Sequence, residues 1–487
     1  MPPICQVRNA IYSLSMPQRE IWREHQLYPD SAVHTISARS FITGPLDHIL
    51  FERALASIWE RHLALRLTPL ILETGNEPTQ IELAHNESLL TLHDLTQERD
   101  RYGAAERLCL ALGQRVIPLK GGPTCRFDLI RIEADCHIWV MSYHHINMDA
   151  WANGILMRDT AVAYSAYLRG ETPEFNEAPP FTEAVEADLV LESSTRYKKS
   201  HDYWTQLYRT LPERFVEAVP GVLSGRSPAA TTLHRIDVDS SMIVALQRVA
   251  RRLNTTSARL FIAAALILFH RLRDVSDLSF GMPVLNRKGA RAKKTFGLFS
   301  LTTAPRVCID SEAGIETLLA RLDRAIRDAM RHHIYPLSCL HRELALTSTG
   351  VLQLFDLNIS YEQVAFGELP FGVATAGVPQ VLLNGVERTP VEIFVREYGD
   401  AERVEVDLDF SLGAFTQEEA GELTRHYETI LHWLSKGGEG RLSMIPLISE
   451  KERAWLLDGV NERVCDYGEF IPVHRYFEVL AEREPLR

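Results

Sequence analysis

The residues with the clearest chemical potential stand in one short run, Tyr143-His144-His145-Ile146-Asn147-Met148-Asp149-Ala150-Trp151. A neutral imidazole titrates near pH 7 and can take a proton from an attacking nucleophile. Adjacent histidines on a strand point to opposite faces, so only one of the two can address a given cavity. Asp149 follows His145 by four residues, at the start of a predicted helix. Three plainer readings fit the same letters. Asp149 can be an N-cap, the histidines can be core residues with satisfied nitrogens, and HH-x3-D can be a metal site. Metal ligation is the weakest of these, because neither a helical H-x3-H nor a cysteine lies nearby. Spacing alone leaves the choice open. A second feature is the dense basic stretch of Arg287, Lys288, Arg291, Lys293 and Lys294. It reads either as a solvated loop or as a surface attracting phosphates.

The elements that must position these residues alternate between strand and helix. Ile138 to Tyr143 is a short β-rich run leading into the histidines. After them Trp151, Ile155, Val162 and Ala166 recur on one predicted helical face, and Gly170 stands where that helix should stop. Further on, Thr255 to Leu272 reads as a largely buried helix and Leu278 to Val284 as a strand. Val391, Ile393 and Val395 alternate, as do Val404, Val406, Leu408 and Phe410; with Tyr398 to Glu402 between them they predict an antiparallel pair. Thr416 with Glu419 forms a capping box ahead of a helix through Leu434. Mixed elements in both halves give an α/β class with two lobes. The proline-rich, acidic stretch Glu171 to Pro180 is the best linker candidate, and Lys436 to Gly440 marks a second break. The expected division is an N-terminal lobe at 1–178, a C-terminal lobe at 179–449 and a linker segment at 450–487.

Composition narrows the classes. The 487 residues are 46% hydrophobic and 24% charged, values of a globular chain and not of a disordered or collagenous one. A net charge of −12 argues against bulk nucleic-acid binding. The longest apolar run, Leu260 to Phe269, is half of the roughly 20 residues a membrane-spanning helix needs. The opening MPPICQVRNA lacks the apolar core of a secretion signal. Seven cysteines with no C-x-x-C pair read as reduced thiols, so a cytoplasmic location is expected.

The chain resembles the condensation domains of nonribosomal peptide synthetases, with motifs in the family's order over roughly residues 10–450. Ser13 to Trp22 (SLSMPQREIW) is similar to the opening S-x-A-Q-x-R-x-W motif, with proline where alanine is usual, and Arg61 to Arg66 (RHLALR) to the RH-x2-LR motif. His144 to Ala150 matches HH-x3-DG except at Ala150. Tyr203-Trp204, Leu278 to Arg287, Phe296 to Val307, Tyr335-Pro336-Leu337 and Ile359-Ser360-Tyr361 resemble later motifs, including the latch and the FNY position. Leu301 and Ser360 replace the usual asparagines, and with Ala150 they bear on the substrate pocket. Leu456-Leu457 to Asn461, Val473 to Phe477 and Glu482 to Pro485 are similar to the segment that joins such domains to an adenylation domain.

The resemblance implies two chloramphenicol-acetyltransferase-like lobes in a V-shaped pseudo-dimer, with the active site between them. It implies an acyltransferase that joins a thioester-borne acyl group to an amine. His145 is then the base or hydrogen-bond orienter, His144 structural, and Asp149 a supporting carboxylate paired with Arg287. The Ala150 N–H can help the oxyanion, and its Cβ borders the donor tunnel. Ser360 belongs to the substrate pocket, and Lys288, Arg291, Lys293 and Lys294 to phosphate binding. No metal and no permanent cofactor is expected. The partners are a downstream adenylation domain and a carrier domain whose phosphopantetheine arm bears the acceptor. Met1 lies about a dozen residues before the first motif, which fits the starter type, with acyl-coenzyme A as donor. The alternatives are an internal domain joining two carrier-bound thioesters, or a non-catalytic recruiting domain, although the intact histidine motif argues against the last.

Overall fold

The computed structural model describes residues 7–70, 78–84, 89–119, 122–216, 228–346, 353–364, 367–399, 403–460 and 471–485. The start of the opening segment read for a secretion signal, part of the 398–402 connector and Asn461 lie outside them. Residues 1–445 form one compact unit and 446–487 a second.

Helix α1 (Met16–His25) begins with a complete capping box, in which Ser15 and Gln18 satisfy each other's backbone N–H groups. Strand β1 (Thr35–Thr43) lies between neighbours on both sides. It pairs antiparallel with β4 (Cys136–His144), in a register that sets Thr35 against His144. Beyond β4 come β3 (Cys125–Glu133) and the parallel edge strand β2 (Leu90–Asp94). Helix α2 (Ala150–Leu168) follows the histidines. It packs into a core with Phe51, Trp139, Tyr164 and Phe371, whose rings meet at 5.2–6.3 Å.

A second sheet occupies the later chain. Its central strand β12 (Arg403–Ser411) lies between β5 (Ala229–Val238) and β11 (Val391–Tyr398), both antiparallel to it. Strand β6 (Leu357–Val364) adds in parallel to β11, and the two-residue β10 (Val386–Glu387) closes the far edge. The predicted antiparallel pair is β11 with β12. Helix α3 (Ser257–Arg273) is buried from Leu260 through His270, and helix α4 (Gln417–Ser435) opens with the Thr416–Glu419 capping box; both agree with the sequence reading.

Strand pairing crosses the expected boundary near residue 178. Three short strands, β7 (Leu369–Phe371), β8 (Ala374–Ala376) and β9 (Gln380–Leu382), belong to the first sheet: β8 and β9 pair with β1, and β7 with β8.

Two local expectations are corrected. Leu278 to Val284 is not one strand but two, Asp277–Ser279 and Met282–Val284, each paired with a different partner. The break falls at Gly281, which bonds to both sides of Asn358; a Cβ there would meet Asn358 Oδ1 and the Phe355 ring at 2.5 Å. Helix α2 is not amphipathic along the predicted face, for Val162 is 40% exposed while Leu156, Ala163 and Tyr164 are buried. Among the described residues no single helix is long and apolar enough to cross a membrane, and the one consecutive pair with the length and composition to do so is bent by 95°.

Candidate active site

Pairing of β1 with β4 ends at His144, and the chain turns at once over 145–147. The histidines therefore differ by being at a strand end and in a turn, not by facing opposite sides of a strand. The His145 N–H donates to the His34 carbonyl at 2.8 Å, which ties the turn to the segment ahead of β1. His145 Nδ1 lies 2.8 Å from the Met148 carbonyl. A carbonyl only accepts, so the neutral ring carries its proton on Nδ1 and keeps the Nε2 lone pair for a substrate proton. His145 is half-buried, so that lone pair is not sealed in the core.

His144 is 2% exposed and cannot play the same part. Its Nδ1 accepts the Ile146 N–H at 3.1 Å, and its Nε2 faces His25 Nδ1 at 3.3 Å. Burial pushes its pKa well below the ordinary histidine value, and the nearby His34, His25 and His145 rings add to the shift. His34 is likewise pushed down to about 4, chiefly by burial, against the pull of Glu24. The pH consequence has a definite sign. The unfolded His34 ring takes its proton near 6.5 and the folded ring only near 4. Its stabilisation is therefore complete above pH 6.5 and is lost as pH falls towards 4, by on the order of 3 kcal/mol. Urea melts from pH 7.5 to 4.5 should show midpoints falling through this window. A flat profile would mean that the imidazole cluster opens to water.

Asp149 serves two of the readings at once. As N-cap of α2 it accepts from the Ala152 N–H at 2.9 Å. The same carboxylate takes Arg287 Nη2 at 2.9 and 3.1 Å, and the Phe299 and Ser300 N–H groups at 3.0 and 3.3 Å. The Arg287 side chain is fully buried and also donates to the carbonyls of Ala292, Thr295 and Gly297, with Phe299 stacked 4.2 Å away. Burial lowers the Arg287 pKa and Asp149 opposes that.

Several supporting residues were not singled out by the sequence reading. Asn147 donates to the Leu67 carbonyl at 2.5 Å and to Thr124 Oγ1 at 2.6 Å, and its Oδ1 accepts from Gln18 at 3.2 Å. The Ser15–Gln18 box of α1 thus reaches the histidine turn directly. His25 and His34 complete the cluster around His144. No sequence signal marks them, because they stand more than a hundred residues away.

The other expected residues are scattered. Ala150 is exposed at the first position of α2, where a backbone N–H has no intrahelical acceptor. Arg291 is held by Glu183 at 2.7–2.8 Å and by Glu177 at 3.0 Å. Partial desolvation and Arg196 lower the Lys288 pKa, while Asp188 raises it. Lys293 and Lys294 are exposed and make no ion pair among the described residues, although the Lys293 carbonyl accepts from Trp151 Nε1 at 2.9 Å. Ser360 is buried on β6 and donates to Glu362 at 3.1 Å; no hydrogen bond among the described residues links it to the histidine turn. Nor does any group of three or more His, Cys, Asp or Glu among them suit a metal ion.

This geometry is a half-buried imidazole with a directed lone pair, braced by a buried ion pair and set beside a helix N-terminus. It suits proton removal from a nucleophile attacking a carbonyl. A family model described as "Condensation domain" matches residues 8–457. Tyrocidine synthase 3 of Brevibacillus parabrevis is 25% identical over 98% of this chain, which spans 7% of that protein. The isonitrile lipopeptide synthase of Streptomyces coeruleorubidus is 26% identical over 80% of this chain and 26% of its own length. Among solved structures, a variant of the starter condensation domain of rhizomide synthetase, in complex with C8-CoA and Leu-SNAC, superposes with a TM-score of 0.79 at 23% identity. The match covers 90% of this chain and 98% of that one. The first condensation domain of the calcium-dependent antibiotic synthetase gives 0.77 at 20% identity, over 91% and 100% of the two chains. The chain belongs to the condensation-domain family, the amide-forming acyltransferases of nonribosomal peptide synthesis.

Proposed function

We propose that this is a starter condensation domain, which acylates the first carrier-bound amino acid with a fatty acyl group from acyl-coenzyme A. The observation that carries the catalytic part is the 2.8 Å approach of His145 Nδ1 to the Met148 carbonyl, from which an unprotonated Nε2 follows for the neutral ring. The thioester donor is already activated, and α-amines titrate near pH 8, so pose and proton transfer account for most of what is needed. The amine nitrogen attacks the thioester carbonyl, and His145 Nε2 accepts its N–H. The first-turn N–H of Ala150 faces the oxygen that becomes negative. As the C–S bond breaks, the proton passes to the departing thiolate. The likeness to the starter domain of rhizomide synthetase supports the subtype. In the cytoplasm, an adenylation domain and a carrier domain of the same synthetase would supply the acceptor.

One observation favours the internal domain, with a carrier-bound donor. Arg291 is engaged by Glu177 and Glu183, which leaves Lys293 and Lys294 as the cations of the basic stretch with no carboxylate partner among the described residues. Mass spectrometry of the aminoacyl carrier, offered the same acyl group on coenzyme A or on a second carrier, separates the readings. Acylation from the carrier alone would sink the starter assignment. Under the starter reading, replacing Lys293 and Lys294 by glutamine raises the Michaelis constant for acyl-coenzyme A more than that for acyl-pantetheine. Each charge is worth up to roughly 1 kcal/mol, and the difference shrinks at high salt.

Ala150 sets donor length in this proposal. Ala150→Arg places a charged side chain where an acyl group would lie, so preference shifts from medium chains towards acetyl. Each lost methylene contact is worth about 0.8 kcal/mol. An unchanged chain-length profile would put the acyl channel elsewhere.

A further inference from the structure

We propose that His25, the last residue of α1, is a positioning residue for amide formation, acting through His144 on the turn that carries His145. The inference rests on the catalytic reading above. It starts from a donor whose direction is fixed, the Ile146 backbone N–H, which points at His144 Nδ1 from 3.1 Å. Nδ1 must then hold a lone pair, so the proton of His144 sits on Nε2. Among the described residues that N–H has one hydrogen-bond partner, His25 Nδ1 at 3.3 Å. His25 in turn must keep Nδ1 unprotonated. The chain of bonds Ile146 N–H, His144, His25 works only when both rings are neutral and each is in one tautomer.

The surroundings enforce this state. His25 and His144 are 6% and 2% exposed, and their rings meet edge-on with centroids 5.1 Å apart. His34, 5% exposed, lies 5.8 Å from His144 and 6.4 Å from His25, while Trp22 covers His25 at 6.1 Å. A proton on any of the three would be buried beside two other imidazoles. Among the described residues, the charged and titratable groups facing the cluster include His145 from the turn, Glu24 from α1 and Arg388, which follows β10.

The consequence reaches the reacting atoms. His145 is aimed by two backbone bonds, its own N–H to the His34 carbonyl and its Nδ1 to the Met148 carbonyl. The His144–Ile146 bond holds the turn between them. Without the acceptor on His25, the Nε2–H of His144 is buried and unpaired, which favours the other tautomer. In that tautomer two N–H groups confront each other at Ile146, and the turn must shift.

Side chains that differ in where they place an acceptor test this. Asparagine puts its oxygen near the position of Nδ1, glutamine near that of Nε2, and leucine fills the space without one. The expected result is that His25→Asn keeps kcat within about threefold of the parent. His25→Gln and His25→Leu should lose about tenfold or more in kcat with little change in the Michaelis constants, because the pose and not the binding is disturbed. Equal activity of the Asn and Gln variants, at any level, overturns the proposal. A readout without turnover separates its failure from that of the catalytic reading. Imidazole 15N shifts of His144, assigned by difference with His144→Asn, should show protonated Nε2 and bare Nδ1 in the parent and in His25→Asn. They should show a tautomer mixture in His25→Gln. Protonated Nδ1 in the parent, or no change in His25→Gln, would overturn the proposal whatever the enzyme does.

Discussion

His145→Ala is expected to reduce amide formation by about 10²–10⁴-fold while leaving the melting temperature nearly unchanged. The ring is half-buried in a turn, and its one side-chain bond goes to a carbonyl of the same turn. Truncation therefore removes the proton acceptor without opening a core. His144→Ala should behave in the opposite way. It removes a ring that is 2% exposed, strands the Ile146 N–H and empties the centre of the histidine cluster, so soluble yield falls more than turnover per folded molecule. Single-turnover acylation of the aminoacyl carrier, followed by mass spectrometry beside a thermal melt, reads both quantities. If His145→Ala turned over within a few-fold of the parent, the assignment of Nε2 as proton acceptor would be wrong.

The second large effect is expected at the buried ion pair. Asp149→Ala leaves a guanidinium with 0% side-chain exposure facing no carboxylate, a loss of about 3–5 kcal/mol. It also removes the N-cap of α2, worth about 1 kcal/mol. Arg287→Ala should cost less, because the carboxylate keeps the N–H groups of Ala152, Phe299 and Ser300. The double variant should be milder than the sum of the two by about 0.5–3 kcal/mol. Chemical denaturation of the four proteins closes the cycle. Strictly additive losses would show that the pair contributes nothing as a pair.

Much of this site was legible because its parts are local in sequence. Asp149 follows His145 at a spacing that places it on the first cap of a helix, and Thr416 with Glu419 announces its helix in four letters. The alternation of Val391 to Val395 and of Val404 to Phe410 likewise marks two strands by their apolar face, although Glu405, Asp407 and Asp409 on the other face of β12 are buried as well. What stayed hidden is what only the fold brings together. His25 and His34 carry no motif, and their role comes from a ring distance. The predicted face of α2 failed at Val162 because a helix packed on most sides has no stripe to read. The strands at 369–382 are three residues each, too short for any period to show, and their partner β1 lies at the other end of the chain. Arg291 looked available for phosphate because sequence does not reveal which carboxylates will sit beside it.

That remote pairing of β1 has a consequence for how the protein is made. Ile42 pairs with Ala376, about 330 residues later, and is fully buried. At a synthesis rate of roughly 5–20 residues per second, the ribosome needs about half a minute between the two. During that interval the flank of β1 that will later be sealed carries unpaired backbone groups and apolar side chains, an invitation to wrong partners. The nascent chain must be shielded or must wait. Fragments ending before residue 369 should therefore emerge insoluble, even though they contain the entire histidine turn.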